Sequence, residues 1–236
     1  MKKIFVSLFL LAGIALSLNA QTIVTSDQQA AKALPKWRIA VQGGGGYRMG
    51  KLPIGISNDM REYMNGLKWG YSYGADITYF FGPTLGVGVK YHDFHTSNQA
   101  QGTFTFDNGS SKSGTMADKI DIWFLGPILS YRVLDSNARN AFYMSAGAGY
   151  VGFYNNATLV DPLKMTGGTI GMTCEIGFDF GLSDHLSLGF AASCFTGSLT
   201  SCTRTFQGKT IDINLDNNNR ESMIHADLTV GLRYNF

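Results

Sequence analysis

The chain has 236 residues, of which 29 are glycine, 13% are aromatic and only 15% are charged, a composition that fits one all-β domain and excludes both a disordered tail and a helical membrane protein. Its formal net charge is +2, and Lys2 and Lys3 account for the excess, so no nucleic-acid partner is expected. The cysteines form no C-x-x-C pair and the histidines show no H-E-x-x-H spacing, so we expect no metal site and no cofactor.

The amino terminus has the layout of an export signal. Two lysines are followed by an apolar run from Ile4 to Leu18, and a small residue, Ala20, stands at the expected cleavage position. The run is shorter than the roughly 18 to 20 residues that cross a bilayer as a helix. Residues 1–20 are therefore predicted to be a cleaved signal peptide, and the polar stretch 21–36 is predicted to be a periplasmic leader.

From Trp37 onward the hydropathy alternates with a period of two, which places successive side chains on opposite faces of a strand. In the first segment Trp37, Ile39 and Val41 share an apolar face, while Arg38 and Gln42 lie on the other face. Eight segments of this kind follow one another. The predicted strands are residues 37–48, 69–79, 85–92, 120–133, 142–150, 169–180, 186–194 and 224–236.

The fourth predicted strand alternates less regularly than the others. Ile122 and Phe124 are at even positions and share one face of the strand, whereas Leu129 and Tyr131 are at odd positions and share the opposite face. We call this even or odd placement the parity of a residue. A β-bulge at Gly126-Pro127 would absorb this shift of one residue, because proline donates no hydrogen bond to a ladder and bulges tolerate it. We therefore expect a bulge there.

Two further patterns favour a membrane barrel over a soluble sandwich. The connections after strands two, four and six are short, whereas those after strands one, three, five and seven are long and polar. Outward aromatic residues cluster at both strand ends: Trp37, Tyr79, Tyr131, Phe180, Tyr234 and Phe236 on the turn side, and Tyr47, Trp69, Tyr71, Tyr91 and Tyr150 on the loop side. The prediction is an all-β fold, an eight-stranded antiparallel up-and-down transmembrane β-barrel over residues 37–236, placed in an outer membrane with both termini periplasmic.

The carboxyl end carries the most specific motif, in which Leu228, Val230, Leu232, Tyr234 and Phe236 alternate up to the final residue. With this ending the chain resembles the small outer-membrane β-barrel family that includes the membrane domain of OmpA and OmpX. The resemblance implies that Tyr234 and Phe236 form the assembly signal for the barrel-assembly machinery. It also implies periplasmic chaperones as partners during biogenesis, and outer-membrane lipid and lipopolysaccharide afterwards. We expect a monomer.

The predicted inward face is rich in ionisable side chains. They are Arg38, Asp76, Lys90, His92, Arg132, Glu175, Asp179, His225, Asp227 and Arg233. In an enzyme such a set would supply acids and bases, but an eight-stranded interior is just wide enough to be filled by side chains, and buried charges must pair. We therefore expect a structural lumen network of Arg38, Asp76, Lys90, Arg132, Glu175, Asp179, Asp227 and Arg233. Asp76 should pair with Lys90, and inward glycines such as Gly44 and Gly46 should leave room for the long side chains.

The expected function is a non-enzymatic barrel with a side-chain-filled lumen, whose long external loops act in surface interaction or envelope integrity. One alternative is a lipid A deacylase-like hydrolase, because His95-Thr96-Ser97-Asn98 is similar to the His-x-Ser-Asn motif of outer-membrane lipid A deacylases. In that alternative His95 is the base, Ser97 the nucleophile and Asp107 the orienting acid. The other alternative is a narrow, porin-like diffusion channel.

The predicted external loops, about residues 49–67, 96–118, 155–167 and 198–220, are rich in Asn, Ser, Thr and Gly. This composition is typical of hydrated, mobile segments and also of adaptable binding loops.

A pair of cysteines allows the strand register to be predicted. Parity places Cys174 and Cys194 on the outward face of the sixth and seventh strands, and Cys174 faces Cys194 if Leu182 and Leu186 are partners at the turn. We favour free thiols over a disulfide, because barrel closure already fixes these strands and cysteine often behaves as a small apolar residue.

Overall fold

The computed structural model describes residues 34–50, 52, 56–105, 111–159, 161–215 and 220–236. The predicted signal peptide and most of the predicted leader lie outside the described residues. The elements are β1 (Trp37–Arg48), α1 (Asn58–Gly66), β2 (Trp69–Phe80), β3 (Leu85–Thr105), β4 (Ser111–Leu134), β5 (Ala141–Leu159), β6 (Asp161–Gly181), β7 (Leu186–Thr196), β8 (Ser198–Leu199), β9 (Ser201–Phe206), β10 (Lys209–Asn214), β11 (Glu221–Ser222) and β12 (His225–Asn235). In the described part of the chain, no helix has both the length and the apolar character needed to cross a membrane.

Strands β1 to β7 and β12 form a closed antiparallel ring. Each of β1 to β6 pairs with the next strand in sequence, and β12 closes the ring by pairing with β7 on one side and β1 on the other. Tyr234 marks this closure, since it lies opposite Leu186 on β7 and opposite Ile39 on β1. The predicted eight-stranded up-and-down barrel is confirmed.

The outward face of the ring is an apolar belt, and the inward face is buried. Trp69 and Leu228 are 70% and 72% exposed, far more than large apolar residues tolerate together in water. Arg38, Asp76 and Glu175, which have the opposite parity, are buried. The predicted assignment of faces is thus correct along these strands, because a period of two fixes which side chains share a face.

The predicted bulge in β4 is wrong. Leu125 lies opposite Tyr150 and Ile128 lies opposite Gly147, so the register with β5 is the same on both sides of Gly126-Pro127. The register with β3 is also continuous through this point. Ile120, Ile122 and Phe124 are buried inside the barrel, and Leu125, Leu129 and Val133 are exposed outside it. The apolar set changes face because this end of the lumen is itself apolar.

Three of the predicted external loops contain long stretches of strand. β3 continues to Thr105 and β4 begins at Ser111, while β5 continues to Leu159 and β6 begins at Asp161. The hairpin of β9 and β10 adds to this extension, with β9 pairing along β6 from Leu163 to Thr166. Apolar alternation stops at the end of the apolar belt, but the ladder continues because the backbone groups still need partners. Sequence periodicity therefore underestimated the length of these strands.

Helix α1 covers the loop end of the barrel. Ser57 caps its first turn, accepting a hydrogen bond from the backbone N–H of Met60 at 3.2 Å. Tyr63 and Leu67 are buried against residues from the barrel strands. The apolar cluster beneath the helix consists of Phe94, Ile120, Ile122, Phe124, Val151, Phe153, Phe195, Leu199, Cys202 and Met223.

Candidate functional site

The lumen between the turns and this apolar cluster contains buried ion pairs. Arg38 on β1 bridges two carboxylates, with its Nη1 2.8 Å from Asp76 Oδ1 and its Nε 3.1 Å from Asp179 Oδ2. Its guanidinium also lies 4.2 Å from the centre of the Tyr143 ring. Arg233 approaches Asp179 from the other side, with Nε 3.1 Å from Oδ1. The four charged side chains of this cluster come from four strands of the ring, and Tyr143 adds a fifth strand.

Lys90 and Glu175 form a separate ion pair in this region, with Lys90 Nζ 2.6 Å from Glu175 Oε2. Gln42 connects it to the first cluster, because its Nε2 donates to Glu175 at 2.8 Å and its Oε1 accepts from Arg233 at 2.6 Å. The predicted lumen network did not include Gln42, because that prediction contained only inward residues with ionisable side chains. Its inward parity between Arg38 and the glycine run was the signal that could have identified it.

The expected partners in this network need two corrections. Asp76 lies opposite Lys90 in the register, as predicted, but Lys90 reaches across the lumen to Glu175 and Asp76 binds Arg38. Arg132 lies at the turn end, outside the ion pairs. It donates to the carbonyl of Pro83 at 3.1 Å, and its guanidinium stacks 3.7 Å from the centre of the Phe80 ring. The first correction arises because the long Lys90 side chain reaches from β3 to β6 across a narrow lumen, and the second because Arg132 contacts the turn between β2 and β3.

The predicted role of the glycine run holds at one position and fails at another. A Cβ on Gly46 would collide with the Asp227 carboxylate and the Phe94 ring, so this glycine leaves room for both. A Cβ on Gly44 would instead collide with the carbonyl of Leu228, and this glycine allows the backbones of β1 and β12 to approach closely.

Asp227 lies apart from the ion pairs described above, beneath the apolar cluster. Its Oδ2 is 3.3 Å from His92 Nε2 and 3.5 Å from His225 Nε2. All three side chains are buried, and the Phe195 ring stacks against both imidazoles, at centroid distances of 4.1 and 4.9 Å. The sequence placed these residues on the inward face but gave no reason to group them.

The loop end above them is closed by a polar contact of α1. The Tyr63 hydroxyl donates to Asp118 Oδ2 at 2.5 Å, and Asn155 donates to the other oxygen of Asp118 at 2.6 Å. Burial, followed by the hydrogen bond to Asp118, raises the pKa of Tyr63 well above its usual range. The Asn98 side chain on β3 also binds the helix, because its Nδ2 donates to the Tyr63 carbonyl at 2.7 Å.

The two residues of the hydrolase alternative lie on the outward face of β3, as parity predicted. The His95 Nδ1 contacts Asp121 Oδ1, and its ring packs 5.0 Å from that of Tyr71. Ser97 is exposed and lies opposite Lys119 in the ladder. No hydrogen bond joins His95 to Ser97, although the structure describes both side chains, and Asp107 lies outside the described residues.

The predicted assembly signal lies at the turn end of β12. Tyr234 and Phe236 are each 49% exposed on the outward face, and their rings are 5.7 Å apart. The final residue is fixed in the sheet, because the Phe236 N–H donates to the Trp37 carbonyl at 3.0 Å and the Phe236 carbonyl accepts from Lys36 at 2.9 Å. The aromatic carboxyl end is therefore an ordered part of the outward belt.

No protein-family model matches the chain, and no curated protein matches it. Solved structures do. The outer membrane protein OprG from Pseudomonas aeruginosa is 15% identical, with a TM-score of 0.53 over 86% of this chain and 97% of that chain. A major outer membrane protein from Thermus thermophilus is 14% identical, with a TM-score of 0.54 over 85% and 99%. The outer membrane protease OmpT from Escherichia coli is 8% identical, with a TM-score of 0.50 over 92% and 100%.

These sequence identities are too low for a function to be transferred to this chain, and proteins with unrelated activities share this fold. The structural similarities agree with the closed ring, the apolar belt and the short turns of this chain. The chain therefore has the fold of the outer-membrane β-barrel proteins, the class that its sequence resembles.

Proposed function

We propose that the chain is a non-enzymatic, integral outer-membrane barrel whose lumen is closed to solutes and whose external hairpins make its specific contacts. The observation that carries the proposal is that a closed ring encloses buried ion pairs on the turn side and buried aromatic and aliphatic side chains on the loop side. A closed ring satisfies every backbone group of the strands inside the bilayer, which an open sheet would not do.

Three layers support closure of the lumen. The ion pairs of Arg38 and Lys90 join opposite walls of the barrel, the apolar cluster follows above them, and α1 lies over the cluster. Near the turn end, a cavity of about 20 Å³ beside Arg38 and Arg132 has room for about one water molecule. A path for solutes would require several buried charges to lose their partners at once, which is costly.

The external hairpins provide the surface for interaction. β3 with β4 and β5 with β6 extend beyond the level of α1, and β9 with β10 widens this extension. Paired strands present side chains in a fixed arrangement, so a partner would meet a preformed surface and not a mobile loop. We further propose a cleaved signal peptide, periplasmic termini and assembly through the Tyr234 and Phe236 signal, with lipid and lipopolysaccharide around the apolar belt.

Conductance in planar lipid bilayers tests the closed lumen. The refolded protein should migrate differently on a denaturing gel before and after boiling, which shows that the barrel has formed. The same sample should then give no steady single-channel conductance under conditions in which a large porin does. Large, steady openings from protein with the folded gel mobility would contradict the closed lumen and favour the diffusion channel.

The hydrolase remains the second candidate because His95 is outward and forms a pair with Asp121. Mass spectrometry of lipid A separates the two functions, using cells that lack the gene, carry it, or carry Ser97→Ala. We expect the same lipid A in all three. Loss of an acyl chain that requires Ser97 would establish the hydrolase.

A further inference from the structure

Asp227 differs from the other buried carboxylates of the lumen in its partners. Asp76, Asp179 and Glu175 each lie within 3.1 Å of an arginine or lysine nitrogen. Among the described residues, Asp227 pairs only with histidines, and neither of its oxygens accepts a hydrogen bond. A carboxylate that is 2% exposed would then carry a negative charge without a permanent cation, which is strongly unfavourable.

The orientation of the His225 ring shows further that, when neutral, it offers Asp227 a lone pair and not an N–H donor. His225 Nδ1 lies 3.0 Å from the carbonyl oxygen of Met223, which can only accept, so Nδ1 carries the proton of the neutral ring. The lone pair on Nε2 is then directed towards Asp227 Oδ2, at 3.5 Å. Within the described ranges of the chain, neither nitrogen of His92 has a hydrogen-bond partner, and its Nε2 lies 3.3 Å from the same oxygen. Several electron-pair donors thus converge on one buried point.

The spacing of these atoms fits a metal ion. In a tetrahedral zinc site with bonds of about 2.0 to 2.2 Å, neighbouring ligand atoms are about 3.3 to 3.6 Å apart. The two N–O distances, 3.3 and 3.5 Å, agree with such an edge, and all three ligand atoms lie within 4.8 Å of one another. The Nδ1 contact of His225 with a backbone carbonyl is also the usual outer partner of a metal-bound histidine.

We propose that His92, His225 and Asp227 bind a divalent transition-metal ion, with Zn²⁺ preferred, inside the barrel. Imidazole nitrogens with one carboxylate suit zinc and its neighbours in the first transition row, whereas Ca²⁺ and Mg²⁺ prefer sites built from oxygen. This assigns a metal site where the motif spacing predicted none. The ligands come from β3 and β12, which are separated in the ring by β1 and β2, so the ion would link two strands that are not paired with each other.

The site lies beneath the apolar cluster, so the ion must enter while the barrel folds. The experiment therefore refolds the full chain in detergent with ZnCl₂, CoCl₂, CaCl₂ or EDTA, removes unbound metal, and measures bound metal by mass spectrometry. We expect about one Zn²⁺ or Co²⁺ per chain, no Ca²⁺, and the strong visible absorption of tetrahedral Co²⁺. His92→Gln and His225→Gln should reduce the metal content at least tenfold while keeping the folded gel mobility.

Two histidine variants serve as matched controls. His185→Gln changes an exposed histidine at the turn end, and His95→Gln removes the outward histidine that pairs with Asp121. Both should bind as much metal as the wild type. Loss of binding in His95→Gln, undiminished binding in both lumen variants, or a folded wild type that takes up neither Zn²⁺ nor Co²⁺ would each overturn the proposal.

Asp227→Asn separates a metal site from a simple ion pair with a protonated histidine. If the metal compensates the carboxylate, this variant should be at least as stable as the wild type when both are refolded in EDTA. Zinc should then raise the urea midpoint of the wild type and leave that of the variant unchanged. A variant that is destabilised equally with and without zinc would show that Asp227 is compensated by protonated histidine, and the proposal would fail.

Discussion

Cys174 faces Cys194 directly across the antiparallel pair of β6 and β7. The turn fixes this register, because the Leu182 N–H donates to the Leu186 carbonyl at 2.8 Å and every facing pair follows from that contact. The register predicted from the sequence is confirmed, and both residues are free thiols in the structure.

Mild oxidation should therefore crosslink these two cysteines in a Cys202→Ser background. Facing residues have Cβ atoms roughly 4.5 to 5.5 Å apart, somewhat more than a relaxed disulfide needs, so the bond should form slowly and with local adjustment. Proteolysis and mass spectrometry would detect the linked peptide, and Cys174→Ser in the same background should abolish it. A wild-type crosslink that joins Cys202 to either partner would contradict the register.

Lys90→Met should destabilise the barrel by about 3 to 5 kcal/mol, because it leaves the buried Glu175 carboxylate without its cation. Urea unfolding of the refolded protein, followed by gel mobility, measures the change. Adding Glu175→Gln should recover most of the loss. The matched control is Arg139→Met, whose partner Asp184 is exposed, and it should cost less than about 1 kcal/mol. Equal effects of Lys90→Met and Arg139→Met would show that the lumen pair is hydrated.

Tyr63→Phe should loosen α1 without unfolding the barrel. The change keeps the buried ring and removes the hydroxyl that donates to Asp118, a loss of about 1 to 3 kcal/mol. Hydrogen exchange should accelerate across Asn58–Gly66 and stay unchanged in the ring strands. Glu62→Gln, an exposed change on the same helix, is the control. Unchanged exchange in α1 would mean that apolar packing alone holds the helix.

Asp135 in the turn after β4 should titrate below its usual range. Its carboxylate accepts hydrogen bonds from the backbone N–H of Arg139 at 2.8 Å, and from the backbone and side chain of Asn140 at 3.2 and 2.8 Å, which lowers its pKa. A depressed folded pKa contributes stability that is present above the unfolded value of about 3.9 and is lost as the pH falls through the folded pKa.

Nuclear magnetic resonance of the barrel in detergent micelles can follow this titration. The Asp135 carboxyl shift should have a midpoint below about 3.9, and the amide protons of Arg139 and Asn140 should report the same midpoint. Asp135→Asn should remove this transition from both amides. A carboxyl midpoint at or above the ordinary value would show that the turn does not hold the carboxylate in solution.

The sequence by itself determined the fold class and most of the faces. Alternation with a period of two assigns side chains to opposite faces whatever the strand packs against, so Trp69 and Leu228 were correctly placed outside and Arg38 inside. The length of the turn after β6 was enough to predict the pairing of Cys174 with Cys194. These features depend on residues close together in the chain.

Only the tertiary structure decided what each face contacts. An apolar residue is favoured both against lipid and in an apolar lumen, so alternation could not show that Ile122 and Phe124 point inward, and a bulge was predicted in error. The same reason explains the partners in the lumen. Lys90 meets Glu175, and His92 meets Asp227, because closure of the ring brings distant strands together across a narrow interior, and local periodicity carries no information about that distance.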